Sequence, residues 1–493
     1  MLKTTVCFLT IGFVLAFSLG WAAPAAPSPY IQIVQLEGSR SLGNGRLADY
    51  LRSKDRSLAL RAALAIGRTK QPAGIPLLER YAGDRDVAMR AMAVYALGLI
   101  GSKAAANTVV AALNDTADVV RVSALDATDR LESAHTLDRV QELHAGLRAA
   151  GLLGHSSAAV RARAATTLES FAGGAQDRGA LAALAAAYSN EPDPYVRWHQ
   201  MWSLFRGYAK EAPAAVLSKG LQDSDEIVRI EAVRAFGRRG DASTLTLLQP
   251  LLEDESWRVR EQTLESITVL RGGKMTEHLT KIPSGVNTPA PVTDRFSSLP
   301  ALARTPESGK PQRPSADGII VQPKLDPRTV PLFTGPAKGA HPYVRIITTK
   351  GNLYLALYPE WAPLTVENFL SLANRGYYDN NPWFRIVPDF VVQTGDPSGN
   401  GNGDAGFTIP AEENPIEQDS FVISMGLNYT DPPNAHAIRD SAGTQFYVTL
   451  SPQLHLDRDF TVFGKVISGF DVLGRLIESD KIVRVERLPD IQQ

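Results

Sequence analysis

The sequence predicts a multidomain chain: an all-α array of repeated helix pairs followed by a mainly-β closed antiparallel barrel. Three observations predict this. An arginine recurs, each time at the head of a helical apolar pattern, across residues 37–275. A proline-rich stretch interrupts the pattern at 276–338. From 339 to 490, short alternating apolar runs separated by Gly and Pro take over. The 493 residues are too many for one core, so two or three domains are expected. With 51 basic and 52 acidic residues the formal charge is −1, which offers no field to draw nucleic acid or an anionic membrane.

The chain opens Met1-Leu2-Lys3 and runs uncharged from Thr4 to Ala23. One lysine, a long apolar segment and small residues at Gly20 and Ala22 fit a secretory signal over 1–22. The alternative is an uncleaved anchor, since the stretch is near spanning length. Cleavage implies an exported, periplasmic protein of bacterial type; retention implies membrane contact through this segment only. Cys7, the one cysteine, lies inside the segment. A mature chain without cysteine excludes thiol catalysis, disulfides and cysteine-ligated metal.

The repeat anchors are Val87-x-x-Arg90, Asp118-x-x-Arg121, Ala158-x-x-Arg161, Pro194-x-x-Arg197, Glu226-x-x-Arg229 and Trp257-x-x-Arg260, with a degenerate first copy centred on Ala59. Counted from Ala59 the spacings are 31, 31, 40, 36, 32 and 31 residues. Small or apolar residues follow each anchor at +3, +4 and +7, one face of a helix. Gly67, Gly98 and Gly237 read as C′ glycines. Asp84, Asp115, Asp223 and Asp254 read as N-terminal caps of the following helices. The pattern resembles short HEAT-like repeats, about seven antiparallel pairs stacked into a curved solenoid. The repeated arginine is expected to pair with an aspartate of a neighbouring copy. The wider spacings around Arg161 predict insertions or irregular helices there. A solenoid implies a surface for a protein partner or client. Residues 276–338 read as a largely extended linker.

In the last third, Val344–Thr349, a Lys350-Gly351 turn and Asn352–Tyr358 predict a hairpin that buries Leu353, Leu355 and Leu357. Thr365 is expected to cap a helix that Gly376 ends. Residues 383–396 then place Arg385, Phe390 and Gln393 in an otherwise apolar, strand-like run. Arg385 cannot be buried alone there, so it lies at a wet edge or is presented beside Phe390 and Gln393. The stretch 441–448 repeats the theme with Gln445, and 460–466 follows with Phe460.

These three blocks, in this order and spacing, resemble a cyclophilin, a peptidyl-prolyl cis/trans isomerase, over residues 341–487. The resemblance implies an eight-stranded closed barrel with two helices. It implies catalytic roles for Arg385, Phe390, Gln393 and Gln445. It makes Met425, Gly426, Tyr447, His455, Leu456 and Phe460 the substrate-binding set. The chemistry suits these types. Rotation about an X–Pro bond faces a barrier of roughly 20 kcal/mol because resonance stiffens the bond. Twisting localises the nitrogen lone pair, and a fixed donor near it stabilises the twisted state. No cofactor or metal is needed.

Three departures from the family's pattern stand out. His455 replaces a frequent tryptophan, which should weaken binding of the cyclosporin class. Tyr447 replaces phenylalanine, and its hydroxyl needs a partner. A long insertion, Gly426 to Ala442, carries Asn428, Pro432, Pro433, His436 and Arg439, and Leu427 stands where the family has asparagine. Other signals are weaker. Gly401-x-Gly403-x-x-Gly406 is followed by Phe-Thr-Ile-Pro, so it is a turn and not a dinucleotide site. Asp396, Asp404, Glu412 and Glu413 lack calcium-loop spacing. His436 and His455 lack a zinc pattern. The reading is an exported prolyl isomerase that assists folding, with a helical arm for proline-containing clients or a partner. The alternative is a catalytically weak or inactive scaffold that grips proline peptides. Deleting 37–275 is expected to leave activity intact.

Overall fold

A computed structural model describes residues 27–174, 177–272, 341–429 and 437–488. The predicted signal segment, the whole of the predicted linker 276–338 and His436 lie outside these residues. Among the described residues no helix is long and apolar enough to cross a membrane.

Each sequence anchor opens a helix. The second helices of seven successive pairs are Arg56–Thr69, Val87–Ile100, Asp118–Ser133, Ala158–Glu169, Pro194–Tyr208, Glu226–Arg239 and Trp257–Leu270. Each packs on the next, and their alanine-rich faces form one continuous core. The wide spacings around Arg161 become long first helices, Arg139–Leu152 and Asp177–Tyr188, in place of the single-turn or two-turn helices elsewhere. Four of the repeated arginines reach forward to the next copy: Arg90 to Asp115, Arg161 to Glu191, Arg197 to Asp223 and Arg229 to Asp254, each at 2.8 Å.

Two local expectations are corrected. Asp84, Asp115, Asp223 and Asp254 are not N-caps. Each accepts the backbone N–H two residues on, closing a turn, while Asp86, Asp193 and Asp225 do the capping. Gly67, Gly98 and Gly237 do not end their helices; Lys70, Gly101 and Gly240 do, all left-handed. The interior glycines serve packing instead. A Cβ on Gly98 would stand 2.6 Å from Ala127 Cα, so only glycine lets consecutive second helices approach this closely.

The C-terminal half holds eight strands: β1 Tyr343–Thr348, β2 Gly351–Leu357, β3 Arg385–Val387, β4 Val391–Thr394, β5 Val422–Met425, β6 Phe446–Thr449, β7 Val462–Ser468 and β8 Ile482–Arg487. They form one antiparallel sheet in the order β3-β4-β6-β5-β7-β2-β1-β8. The hairpin β1–β2 buries Leu353, Leu355 and Leu357 fully, as their alternation requires. The expected closed barrel is not found: the sheet is a half-barrel, with no ladder between β3 and β8. A single bridge, Pro382 to Lys481, and a few backbone bonds such as Trp383 N–H to Asp480 O span the gap. Pro382 has no N–H to extend a ladder at that point. The helix Pro363–Asn374 fills the sheet's interior with Val366, Phe369 and Leu370. Thr365 is not its cap. The Glu412 carboxylate, nearly fifty residues on, accepts the N–H groups of Leu364 and Thr365 and the Thr365 hydroxyl. Gly376 does follow the helix with φ +70. The second helix is the single turn Phe470–Leu473.

The two halves are not independent. Tyr358, Trp361, Ile416, Val422, Leu454 and Val462 of the C-terminal half belong to the solenoid's apolar core. Arg68, fully buried, donates to Glu37 Oε1 at 2.7 Å, to Trp361 O at 2.7 Å and to Glu413 O at 2.9 Å. Arg163 donates to Glu417 at 2.8 Å, and Tyr195 donates to the other Glu417 oxygen. Arg458 bridges back to Asp126 and Asp129. Burial alone would raise the Glu37 carboxyl, but Arg61 and Arg68 outweigh it and hold the pKa at about 2, below its ordinary 4.5. The folded pKa lies below the unfolded one, so this stabilisation is complete above about pH 4.5 and is lost as pH falls toward 2. Urea midpoints should therefore fall steeply across that window, and less steeply in Glu37→Gln.

Candidate active site

Strand register assembles the site. Arg385 on β3 faces Gln393 on β4, Gln393 faces Tyr447 on β6, and Tyr447 faces Ser424 on β5. Directly opposed residues share a sheet face, so one row of side chains, three of them candidate site residues, runs across four strands. Arg385 Nη1 donates to Gln393 Oε1 at 3.3 Å, and Gln393 Nε2 donates to Gln445 Oε1 at 3.1 Å. Gln445 Nε2 in turn donates to Gly401 O at 2.9 Å and Gly403 O at 3.1 Å. Asp396 holds that glycine loop, accepting from the N–H groups of Ser398, Asn400 and Gly401. Burial would raise the Asp396 carboxyl, yet the Ser398 hydroxyl first, and then the loop's N–H groups, outweigh it and lower the pKa to about 2. The glycine motif is thus a turn anchored by a carboxylate. It carries no helix that could receive a phosphate.

Arg385 itself is exposed, with its guanidinium 5.3 Å over the Phe390 ring. Phe390 stacks on His455 at 5.7 Å, and Tyr447 meets Phe460 edge-on at 5.7 Å. Val391, Tyr447, Leu456 and Phe460 form a separate apolar cluster beneath the arginine, with Phe390, Leu427 and Ala437 against it. Gly426 donates its N–H to Gln445 O at 2.8 Å; a Cβ there would stand 3.3 Å from Gln393 Nε2 and crowd the amide chain. His455 is exposed on one face but crowded by the solenoid. That crowding first, then Arg206 and Arg234, lower its pKa to about 4, so the ring is neutral at pH 7.

The structure brings Arg385, Phe390, Gln393, Gln445, Gly426, Tyr447, His455, Leu456 and Phe460 together. Met425 is not among them. It opposes Phe446 and packs with it into the core between the sheet and the helix Pro363–Asn374, on the opposite face from Tyr447. Val391 lines the hollow instead, and the signal was available: it lies two residues from Gln393 in the same strand, hence on the same face. Trp202, Phe205 and Arg206, which approach Phe390 and His455 from the solenoid, had no signal in their local sequence. Among the described residues no group of three or more His, Cys, Asp or Glu could hold a metal ion.

Residues 343–491 match the family described as cyclophilin type peptidyl-prolyl cis-trans isomerase, and residues 46–128 and 214–282 match HEAT repeats. Peptidyl-prolyl cis-trans isomerase B of Bacillus subtilis (strain 168) is 44% identical over 134 residues, 26% of this chain and 87% of that protein. Peptidyl-prolyl cis-trans isomerase-like 1 of Gibberella zeae is 38% identical over 157 residues, 30% of this chain and 94% of that protein. The Bos taurus protein of the same name is 38% identical over 135 residues, 27% and 79% respectively. The likeness covers most of each relative and only the C-terminal part of this chain. Joined to HEAT repeats through a shared core, this chain belongs to the cyclophilin-type peptidyl-prolyl cis-trans isomerases.

Proposed function

We propose that the Arg385 guanidinium supplies the donor to the twisted prolyl nitrogen, and that the hollow walled by Phe390, Val391, Tyr447, Leu456 and Phe460 holds the ring. The observation that carries this is the unbroken chain from Arg385 through Gln393 and Gln445 to the glycine-loop carbonyls. It fixes the fork without consuming all its donors, since one guanidinium N–H suffices for Gln393. Gln393 and Gln445 are positioning residues, and a protease-coupled assay of the full chain on a proline tetrapeptide tests the assignment through Arg385→Ala.

One observation favours a second reading, in which proline peptides are gripped but turned over slowly. Leu427 and Ala437, from either end of the insertion, press on the same apolar cluster and narrow it. A low rate with tight peptide binding in the wild type would support that reading.

We further propose export, on the character of residues 1–22 alone. Mass spectrometry of protein from the source envelope should give an N-terminus just after Ala22; an intact Met1 would refute cleavage. The repeats are proposed to serve clients or partners on the faces that the isomerase half leaves free.

A further inference from the structure

The second helices Pro194–Tyr208, Glu226–Arg239 and Trp257–Leu270 wall a cleft of about 340 Å³ whose opposite wall is the rim of the proposed proline pocket. Its size is that of a ligand site. Phe390 lines both hollows and stacks on His455 of the cleft, so the cleft adjoins the pocket. The walls are fixed to each other at its floor: Arg258 donates to Asp389 on the isomerase rim and to Glu226 on the solenoid.

Its polar groups are incompletely used. Glu231 is 3% exposed, and its Oε2 is buried without a hydrogen-bond partner, while Oε1 takes Arg234 at 3.1 Å. Arg206 Nε is buried without a partner too. The Arg206 guanidinium lies 6.0 Å over the Trp202 ring and makes no ion pair among the described residues. Leaving such groups unmet is costly unless a ligand completes them. The acidic side chains of the lining are otherwise engaged: Asp389 by Arg258, Glu265 by Gln262, and Glu261 by a partner of its own.

We propose that this cleft is a second subsite, which takes the client polypeptide on one side of the isomerised proline and favours a carboxylate side chain there. The proposal rests on the reading of the Phe390 hollow as the proline site. Trp202 and Phe205 offer apolar surface to the extended chain, and the Glu231 oxygen accepts a backbone N–H from it. Arg206 forms a charge-assisted bond to the carboxylate. The hollow at the other end of the amide chain, lined by residues such as Gly401, Asp404, Leu427 and Gln445, has no arginine or lysine among the described residues of its lining, so only extension toward Arg206 should favour a carboxylate.

The test uses the full chain and exchange NMR on proline peptides extended on either side by Ala-Ala-Asp or Ala-Ala-Lys. On one side only, the aspartyl peptide should exceed the lysyl peptide in kcat/KM by about tenfold, or about 1.4 kcal/mol. Arg206→Lys should keep this preference and Arg206→Glu should invert it; inversion also excludes simple misfolding. A ratio unchanged by Arg206→Glu, or equal on both sides, overturns the subsite. Absence of turnover on every peptide, with binding that still prefers aspartate and inverts in the variant, would instead sink the catalytic reading of the pocket and leave the subsite standing.

Discussion

Arg385→Ala should lower kcat/KM on a proline tetrapeptide by about 100- to 1000-fold, the loss typical of removing one transition-state donor. The magnitude follows from where the side chain lies. Arg385 is exposed and, among the described residues, makes one hydrogen bond, to Gln393, so its removal opens no cavity and strands no buried charge. The melting temperature should stay within a degree or two, because exposed substitutions usually cost under 0.5 kcal/mol or about that. A loss of rate with unchanged stability distinguishes a catalytic group from a structural one. Gln393→Ala should give a smaller loss, since the guanidinium would keep its charge and its place over Phe390 but lose the amide that aims it.

Arg68→Ala should destabilise the whole chain by about 3–5 kcal/mol, the cost of removing one partner of a buried ion pair. Its guanidinium meets Glu37 and the carbonyls of Trp361, Glu412 and Glu413, all beyond the reach of solvent. Without it the Glu37 carboxylate retains Arg61 alone as an ion-pair partner among the described residues, the Trp361 and Glu413 carbonyls lose the Arg68 donor, and Glu412 O keeps only Asn414. Urea unfolding followed by both far-UV circular dichroism and isomerase activity checks this. The two probes should shift together, since the seam joins both cores. The same contacts revise the expectation that residues 37–275 are dispensable. Removing them would expose Tyr358, Trp361, Ile416, Val422, Leu454 and Val462 and strand Arg458 and Glu417 without partners. The deletion should therefore cost solubility and stability before it reports on catalysis.

Much of the architecture was legible because it is written in short-range periodicity. The recurring arginine marked six of the seven second helices, and the alternation of Leu353, Leu355 and Leu357 marked a buried strand face. Arg385, Gln393 and Gln445 were legible as polar residues at fixed places in apolar runs. What escaped notice depends on contacts distant in sequence. Gly98 looks like a helix stop until Ala127 of the next repeat is placed against it. Thr365 looks like a cap until Glu412 arrives and takes the N–H groups. Met425 was assigned by resemblance, whereas the register with Phe446 turns it inward. The docking of the two halves has no local signature at all: Arg163 and Glu417 are 254 residues apart. The missing ladder between β3 and β8 turns on Pro382, a residue whose effect shows only once its would-be partner strand is known.

The most direct test is exchange NMR of a proline peptide with a substoichiometric amount of full-length protein, wild type beside Arg385→Ala. Wild-type protein should broaden the cis and trans resonances by interconverting them. The variant should still shift the resonances through binding in the Phe390 hollow but leave the exchange rate at its uncatalysed value. Equal exchange broadening from both proteins would contradict the account, because catalysis would then not pass through the Arg385 guanidinium.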